Sequence, residues 1–251
     1  MSFIDDIIDV GSSALKYLNA NPIAGALAKT AVTGFALSQL QKSINKDNNK
    51  EDKGTRISLD PDTQNSIPVV YGTAFVPPIV TDARISNDNL TMYYCLTLCE
   101  KTGNLLSTGS NSVISIDAIY WNELQVNFQS DGYTVASFSD SEGTVSTDPD
   151  GLIKIYPFSG GSNYPVNFTG QANGNGSLAW TLMPEWTTSH TMNNLVFVIV
   201  QITYNKDKSI TNLGNLVFKL SNTMTLPGDC LNDYMTNTRY GAGIASAEIN
   251  L

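Results

Sequence analysis

Charged residues are scarce in this chain, and basic residues are scarcer than acidic ones. They make up 15% of its 251 residues, against about 25% in an ordinary globular protein. With 14 Lys and Arg against 23 Asp and Glu, the formal net charge is −9. Such a chain has few cations to neutralise phosphates, so direct nucleic-acid binding is disfavoured. A surface this poor in charge is typical of β-proteins held in a fixed assembly, and secreted β-domains share it.

Histidine is nearly absent, because His190 is the only one. Histidine is the usual general base near neutral pH, and no serine lies in a G-x-S-x-G elbow. We therefore interpret His190 as a loop residue at the surface. Paired carboxylates are the remaining catalytic option, since a glycosidase needs two acids on facing strands. The acids that lie beside aromatic residues are Asp117, Glu123 and Glu185.

Cysteine is also rare, and the three cysteines show no C-x-x-C pair. An odd number without a nearby histidine predicts neither a disulfide framework nor a zinc site. We expect buried thiols, and synthesis in a reducing cytoplasm. Cys95 and Cys99 lie four residues apart in a predicted strand, so they are expected on one face. Glycine-rich loops lack the Lys-Ser/Thr of a phosphate cradle, so no catalytic residue, metal or cofactor is predicted.

A basic leader is lacking too, since the segment from Met1 to Asp9 is acidic, and no signal peptide is predicted. Residues 22–40 are apolar, with Lys29 the only charge, and are about long enough to span a bilayer. Threonine and glycine residues dilute this run. We expect a helix packed against a partner rather than membrane contact, and a membrane anchor remains an alternative hypothesis.

The first part of the chain has helical patterning. Apolar residues recur at helical spacing after Ser2, and Asn21 followed by Pro22 is a strong helix start. The sequence therefore predicts an N-terminal helical segment over residues 1–45. Residues 46–56 are polar and charged with nothing to bury, and are predicted to be a linker.

Residues 57–226 change to β-branched and aromatic runs separated by turn residues. Strands are predicted at 67–71, 76–81, 91–99, 113–121, 124–128, 152–157, 177–183, 194–204 and 214–220. Residues 227–251 are expected to hold a short helix to about Met235, followed by a closing turn. The fold class is thus mainly β, an antiparallel barrel or sandwich preceded by helices and followed by a short helix.

Five segments in order resemble the central tail tip (baseplate hub) proteins of lambda-type tailed bacteriophages. They are Ser66–Gly72 (SIPVVYG), Met92–Glu100, Ile116–Trp121, Leu195–Tyr204 and Asp233–Ile244 (DYMTNTRYGAGI). The first resembles the family's IPVVYG strand, and the last resembles its L-T-N-T-R-Y-G-x-G-I helix and turn. The resemblance covers about Ile67 to Ile244.

This resemblance implies a structural protein of the virion, made in the host cytoplasm. The β-domain would be related to tail-tube barrels, and three copies would form a ring that closes the tube. Partners would be other tail tube or baseplate proteins, with residues 1–45 lining the tube or contacting the tape-measure protein. DNA could pass through an acidic lumen without binding. Family members commonly continue into receptor-binding modules, so host recognition is expected outside this chain.

The closing turn is the predicted assembly element, with glycines that permit backbone conformations other residues resist. The candidate assembly residues are Tyr71, Gly72, Arg239, Tyr240 and Gly241. A competing hypothesis is a carbohydrate-binding or glycan-degrading β-domain, in which aromatic side chains stack on sugars. Its candidate residues are Trp121, Tyr156, Trp180 and Trp186, together with the three acids named above.

Overall fold

The computed structural model describes residues 66–249 except 144, 148, 175, 209 and 211, and these residues form two antiparallel sheets. The strands are β1 (Thr73–Val76), β2 (Ile79–Ile85), β3 (Thr91–Glu100), β4 (Ile114–Trp121), β5 (Leu124–Phe128), β6 (Val135–Ser139), β7 (Val145–Thr147), β8 (Ile153–Ser159), β9 (Leu195–Thr203) and β10 (Leu216–Asn222). The helices are α1 (Ala179–Leu182), α2 (Pro227–Thr236) and a 3-10 turn at Ser246–Glu248. The mainly β prediction is confirmed.

The two sheets face each other across the main core. One has six strands in the order β1-β10-β4-β5-β6-β7, and the other has four in the order β2-β3-β9-β8. Period-2 alternation directs one face of each strand inward, as with Phe218 and Leu220 of β10, which are fully buried. The inward faces of both sheets together form one apolar cluster. The described residues therefore fold as a sandwich around this main core.

Strand β9 is buried on both faces because a third layer covers the outside of the four-stranded sheet. The segment between β8 and β9 supplies this layer, placing Met183 and Trp186 against Phe158 and Phe197. Two of these rings, Phe158 and Phe197, stack with centroids 4.8 Å apart. A strand that is buried on both faces has a continuous run of apolar residues rather than an alternating pattern. This explains the sequence LVFVIV in β9.

The prediction of a strand at 177–183 is wrong, because this stretch forms the helical turn α1. Ala179 and Met183 lie one turn apart and are both buried against the four-stranded sheet. Helical spacing places these two side chains on the same face. Trp180 and Leu182 are partly buried and pack against the same outer cluster.

A β-bulge in β3 separates the two cysteines that were expected on one face. The register with β9 shifts between Thr97 and Cys99, and an extra residue in a strand reverses the facing of the side chains beyond it. Cys95 consequently packs in the outer cluster, while Cys99 packs in the main core. Both thiols are buried, and burial raises the pKa of Cys99 to about 12.

Other predictions differ from the structure at the edges of the domain. The segment predicted as a strand at 67–71 contributes only an isolated bridge between Val69 and Glu100. Strands β6 and β7 were not predicted. The short helix that follows the β-region is confirmed as α2. The predicted N-terminal helical segment 1–45 and linker 46–56 lie outside the described residues.

Candidate functional site

Helix α2 places two carboxylates against the end of the sandwich. Pro227 begins the helix at a position where its missing N–H costs nothing. Asp229 and Asp233 lie one turn apart and therefore share a face, and each is only 5% exposed. The Oδ1 atom of Asp229 accepts a hydrogen bond of 3.0 Å from the backbone N–H of Leu106. The acidic face of α2 is thus the buried face.

Asp233 joins three parts of the chain. Its Oδ2 atom accepts hydrogen bonds from the hydroxyls of Tyr71 at 2.8 Å and Tyr240 at 2.7 Å. Its Oδ1 atom accepts one from the backbone N–H of Gly103 at 2.8 Å. Hydrogen bonds to an ionised acceptor are stronger than those between neutral groups. The carboxylate therefore fastens the segment preceding β1, the loop after β3 and the closing turn to one another.

The two phenols act as hydrogen-bond donors because their protons are held tightly. Burial raises the pKa of Tyr71, and the hydrogen bond to Asp233 raises it further. The pKa of Tyr240 is raised in the same way, first by burial and then by Asp233. A negative charge beside a phenol opposes formation of a second negative charge. Both side chains therefore stay protonated far above neutral pH.

Arg239 forms the second connection between the closing turn and the sandwich. Its Nε atom lies 2.7 Å from Oε2 of Glu100, a residue at the end of β3 that is 5% exposed. This contact is an ion pair whose N–H direction departs from hydrogen-bond geometry. The Nη1 atom also donates to the carbonyl of Asn193 at 3.2 Å. Arg239 thus neutralises a buried acid and binds the loop before β9.

The backbone around the contacts of Asp233 and Arg239 requires glycine at two positions. Gly72 has a φ of +67°, a region that side chains disfavour, and its N–H donates to the carbonyl of Met224 at 3.0 Å. A Cβ on Gly241 would lie 1.9 Å from the carbonyl oxygen of Tyr234. The closing turn can therefore pack onto the last turn of α2 only with glycine at position 241.

The structure brings three of the five predicted assembly residues into one region, the closing cluster, defined as Tyr71, Glu100, Asp233, Arg239 and Tyr240. Gly241 and Gly72 lie beside it. Sequence analysis missed the two acids, Glu100 and Asp233, that hold the others. One signal was present, because Asp229 and Asp233 are spaced by one helical turn, while Leu231 and Tyr234 lie on the other side of the helix.

The polar atoms of the closing cluster are directed at one another rather than at a cavity. Within the described part of the chain, no group of three His, Cys, Asp or Glu side chains is arranged to hold a metal ion. The same residues include no helix that is long and apolar enough to cross a membrane. The arrangement of the closing cluster fits fastening of the chain, because each charged group already has its partner within the protein.

The aromatic residues of the carbohydrate hypothesis are mostly interior. Trp121, Tyr156 and Trp186 are 6% to 8% exposed, and only Trp180 is half-buried. Trp121 belongs to the main core, whereas the other three belong to the outer cluster. Stacking on a sugar requires an accessible ring face, which the three buried residues do not offer.

The candidate acids also lie apart. Asp117 accepts hydrogen bonds from the hydroxyls of Ser115, Thr169 and Ser221 beside the six-stranded sheet, whereas Glu185 pairs with Arg84 at 2.7 Å over the four-stranded sheet. Glu123 lies in the tight turn between β4 and β5 with a φ of +76°. The three acids therefore occupy separate surroundings rather than one paired site.

His190 lies in the loop before β9. Its ring stacks on Trp186 with centroids 5.2 Å apart, and its Nδ1 atom accepts a hydrogen bond of 3.0 Å from the N–H of Thr187.

No family model matches this sequence, and no curated protein matches it.

Proposed function

We propose that this chain is a structural protein of a phage virion, part of the tail tip or baseplate hub. The observation that carries the proposal is the contact between the two segments with the most distinctive resemblance. Tyr71, from the SIPVVYG segment, and Tyr240, from the DYMTNTRYGAGI segment, donate to the same oxygen of Asp233. The bond between Tyr71 and Asp233, which are 162 residues apart, therefore joins the two motifs in one structural unit, as expected if they derive from one family.

The chemistry of the closing cluster supports a structural role. Its carboxylates accept hydrogen bonds or pair with Arg239, and its phenols are fixed as donors by the raised pKa values. A catalytic acid or base must exchange protons with a substrate, whereas these groups are occupied by one another. The arrangement suits a protein that must stay folded within an assembly.

In the proposed assembly, three copies form a ring that closes the tail tube and connects it to distal tip components. Neighbours would be tail tube or baseplate proteins, and residues 1–45 would line the tube or contact the tape-measure protein. A net charge of −9 would favour passage of DNA without adhesion, because like charges repel. The protein would reside in the tail tip of the virion.

The test is the oligomeric state of the purified chain, measured by light scattering after size exclusion, with a matched sample that lacks residues 1–56. The expected result is a trimer of the full chain, visible as rings by negative-stain electron microscopy. A trimer that persists after truncation would assign the contact to residues 57–251. A monomer at every concentration would contradict the proposed ring.

Oligosaccharide binding is the result that would favour the competing hypothesis. Titration of the isolated chain with glycans, followed by calorimetry, is expected to give no heat of binding. Trp180 offers the most accessible of the candidate tryptophan rings, so Trp180→Ala is the informative variant. Saturable binding that this substitution abolishes would replace the hub proposal with a glycan-binding function.

A further inference from the structure

The loop between β8 and α1 returns to the six-stranded sheet. Its Phe168 ring stacks on Phe128 of β5, with centroids 4.5 Å apart. Further along, the side-chain Nδ2 atom of Asn173 donates to the carbonyl of Ser130, in the turn between β5 and β6, at 3.0 Å. We name residues 167–174 the Asn-Gly loop, because they end in the pair Asn173-Gly174. Two separate contacts therefore attach this loop to the sheet.

The backbone at the end of the Asn-Gly loop is accessible and unconstrained. Asn173 and Gly174 are both exposed to solvent. The N–H of Gly174 donates to no acceptor among the described residues, so hydrogen bonding does not fix its nitrogen. Glycine also lacks a Cβ that would crowd an approach to the preceding side chain. The nitrogen of Gly174 can therefore reach Cγ of Asn173, the carbon that carries the side-chain amide.

We propose that Asn173 is a site of spontaneous modification, in which its side-chain amide is converted to a carboxylate. The deprotonated nitrogen of Gly174 attacks Cγ of Asn173, closing a five-membered imide, and the bond from Cγ to Nδ2 breaks to release ammonia. Because the nucleophile belongs to the next residue, the step is unimolecular. Water then opens the imide at either carbonyl, giving aspartate or isoaspartate. Overall one water enters and one ammonia leaves, and no oxidant or enzyme is needed.

A neighbouring pair, Asp131-Gly132, shows how the fold can oppose the same ring closure. Its attacking group is occupied, because the N–H of Gly132 donates to the carbonyl of Gln129 at 3.0 Å. Its carboxylate is occupied too, since Oδ1 of Asp131 accepts from the N–H groups of Tyr133 at 3.1 Å and Thr134 at 2.9 Å. The Asn-Gly loop lacks such a bond at its attacking nitrogen, so the fold leaves that pair able to react.

Conversion of Asn173 removes one of the two attachments of the Asn-Gly loop. The amide donates to the carbonyl of Ser130, whereas an ionised carboxylate can only accept hydrogen bonds. Two acceptors would then face each other without a proton between them. The backbones also approach closely here, because a Cβ on Gly132 would lie 1.9 Å from the carbonyl oxygen of Asn173. Isoaspartate adds a methylene group to the main chain, so it would disturb this approach further.

The modification does not depend on the proposed function, and the test follows the full chain over time at mildly alkaline pH. Peptide mass spectrometry with electron-transfer fragmentation separates conversion at Asn173 from conversion at Asn175, which begins a second Asn-Gly pair. We expect Asn173 to convert about tenfold or more faster than Asn104, an exposed asparagine that Leu105 follows. Incubation in heavy-oxygen water should add one heavy oxygen atom to each product.

Two variants separate the reaction from its consequence. Asn173→Gln keeps the amide but requires a six-membered ring, so conversion at this position should disappear. Asn173→Asp reproduces one product, and it should raise the hydrogen exchange rate of the Gln171 amide, which donates to the carbonyl of Phe168, by about tenfold. Asn104→Asp is the matched control, because it adds the same charge at an exposed position outside the Asn-Gly loop, and it should leave this exchange rate unchanged.

Three results would overturn the inference. An intact Asn173 in a sample whose Asn104 has already converted would show that the pair is not reactive. Conversion of Asn173 only in urea would show that the folded chain keeps the two reacting atoms apart. Equal hydrogen exchange of Gln171 in the wild type and in Asn173→Asp would show that the loop does not depend on the Asn173 amide.

Discussion

At the scale of single residues, Asp233 shows how one carboxylate can organise distant segments. The phenols of Tyr71 and Tyr240 converge on one oxygen, and the backbone of Gly103 occupies the other. Asp233 as a whole is 5% exposed. A buried charge is tolerated only when hydrogen bonds replace its hydration. The burial of the Asp233 charge therefore depends on all three hydrogen-bond donors together.

We expect Asp233→Ala to lower the free energy of unfolding by about 2–4 kcal/mol, because three donors lose a charged acceptor. Asp233→Asn should cost less, because its amide can donate to the two phenol oxygens while its carbonyl accepts from Gly103. Urea denaturation followed by circular dichroism measures both. Asp207→Ala, at an exposed acid, is the control and should change stability by about 0.5 kcal/mol or less. Equal stability of the Ala variant and the wild type would show that Asp233 does not fasten these segments.

Arg239→Ala should also destabilise the fold, by about 1–3 kcal/mol, because it leaves the buried Glu100 without its cation. The Arg239 side chain is 43% exposed, so water screens part of the interaction. Adding Glu100→Gln should recover much of the loss, since it removes the unpaired charge. The double-mutant cycle by urea denaturation gives the coupling energy, and additive effects of the two substitutions would contradict the pairing.

At the scale of elements, the strands that sequence patterns predicted best are those with a clear apolar side. Strands β3, β4, β5, β8, β9 and β10 agree closely with the predicted ranges. Strand β6 was missed because its sequence VASFS has only two residues, Val135 and Phe138, buried in the core. Such a short, weakly apolar strand forms because it pairs with neighbouring strands, and its own sequence pattern does not indicate it.

The candidate site was predictable only in part, and for a physical reason. Arg239, Tyr240 and Gly241 lie together in sequence, so a motif can indicate them. The folded sandwich brings Glu100 to Arg239, and it brings Tyr71 to the Asp233 oxygen that Tyr240 also binds. The bulge in β3 shows the same limit, because one extra residue changed which face Cys99 occupies. Contacts across the fold depend on register, which local patterns do not specify.

The junction between α2 and the closing turn gives a prediction at this scale. Gly241→Ala should lower the free energy of unfolding by about 2–4 kcal/mol, because its Cβ would overlap the carbonyl of Tyr234 at 1.9 Å. Gly228→Ala is the matched control, since a Cβ there meets no atom within 4 Å and alanine favours helix. Thermal unfolding of both variants measures the difference. A Gly241→Ala protein as stable as Gly228→Ala would show that the turn packs differently.

At the scale of the whole molecule, acidity and hydrogen bonding together set the response to pH. Burial alone would raise the pKa of Asp117, but hydroxyl donors, led by Ser221 and Thr169, hold that pKa below its ordinary value. Asp82 behaves likewise: burial opposes the shift, while Trp186 and Arg84 lower its pKa. Folding therefore favours the ionised form of both groups.

Stability should accordingly fall in acid. The folded pKa values lie below the unfolded value of about 3.9, so the unfolded chain binds protons first as the pH drops. The stabilisation is fully present above that pH and is lost as the pH falls through the folded pKa values. Urea denaturation between about pH 2.5 and pH 6 measures this slope, which Asp117→Asn should flatten. Identical slopes for the variant and the wild type would contradict the assignment.

The bond between Tyr71 and Asp233 has a consequence for the order in which the chain matures. It closes a loop of 162 residues, so it contributes a contact of very long range. During synthesis, Tyr71 leaves the ribosome long before its acceptor Asp233 does. The growing polypeptide must hold Tyr71 without its partner until α2 and the closing turn emerge. Completion of the cluster thus requires that translation has passed the closing turn that follows α2.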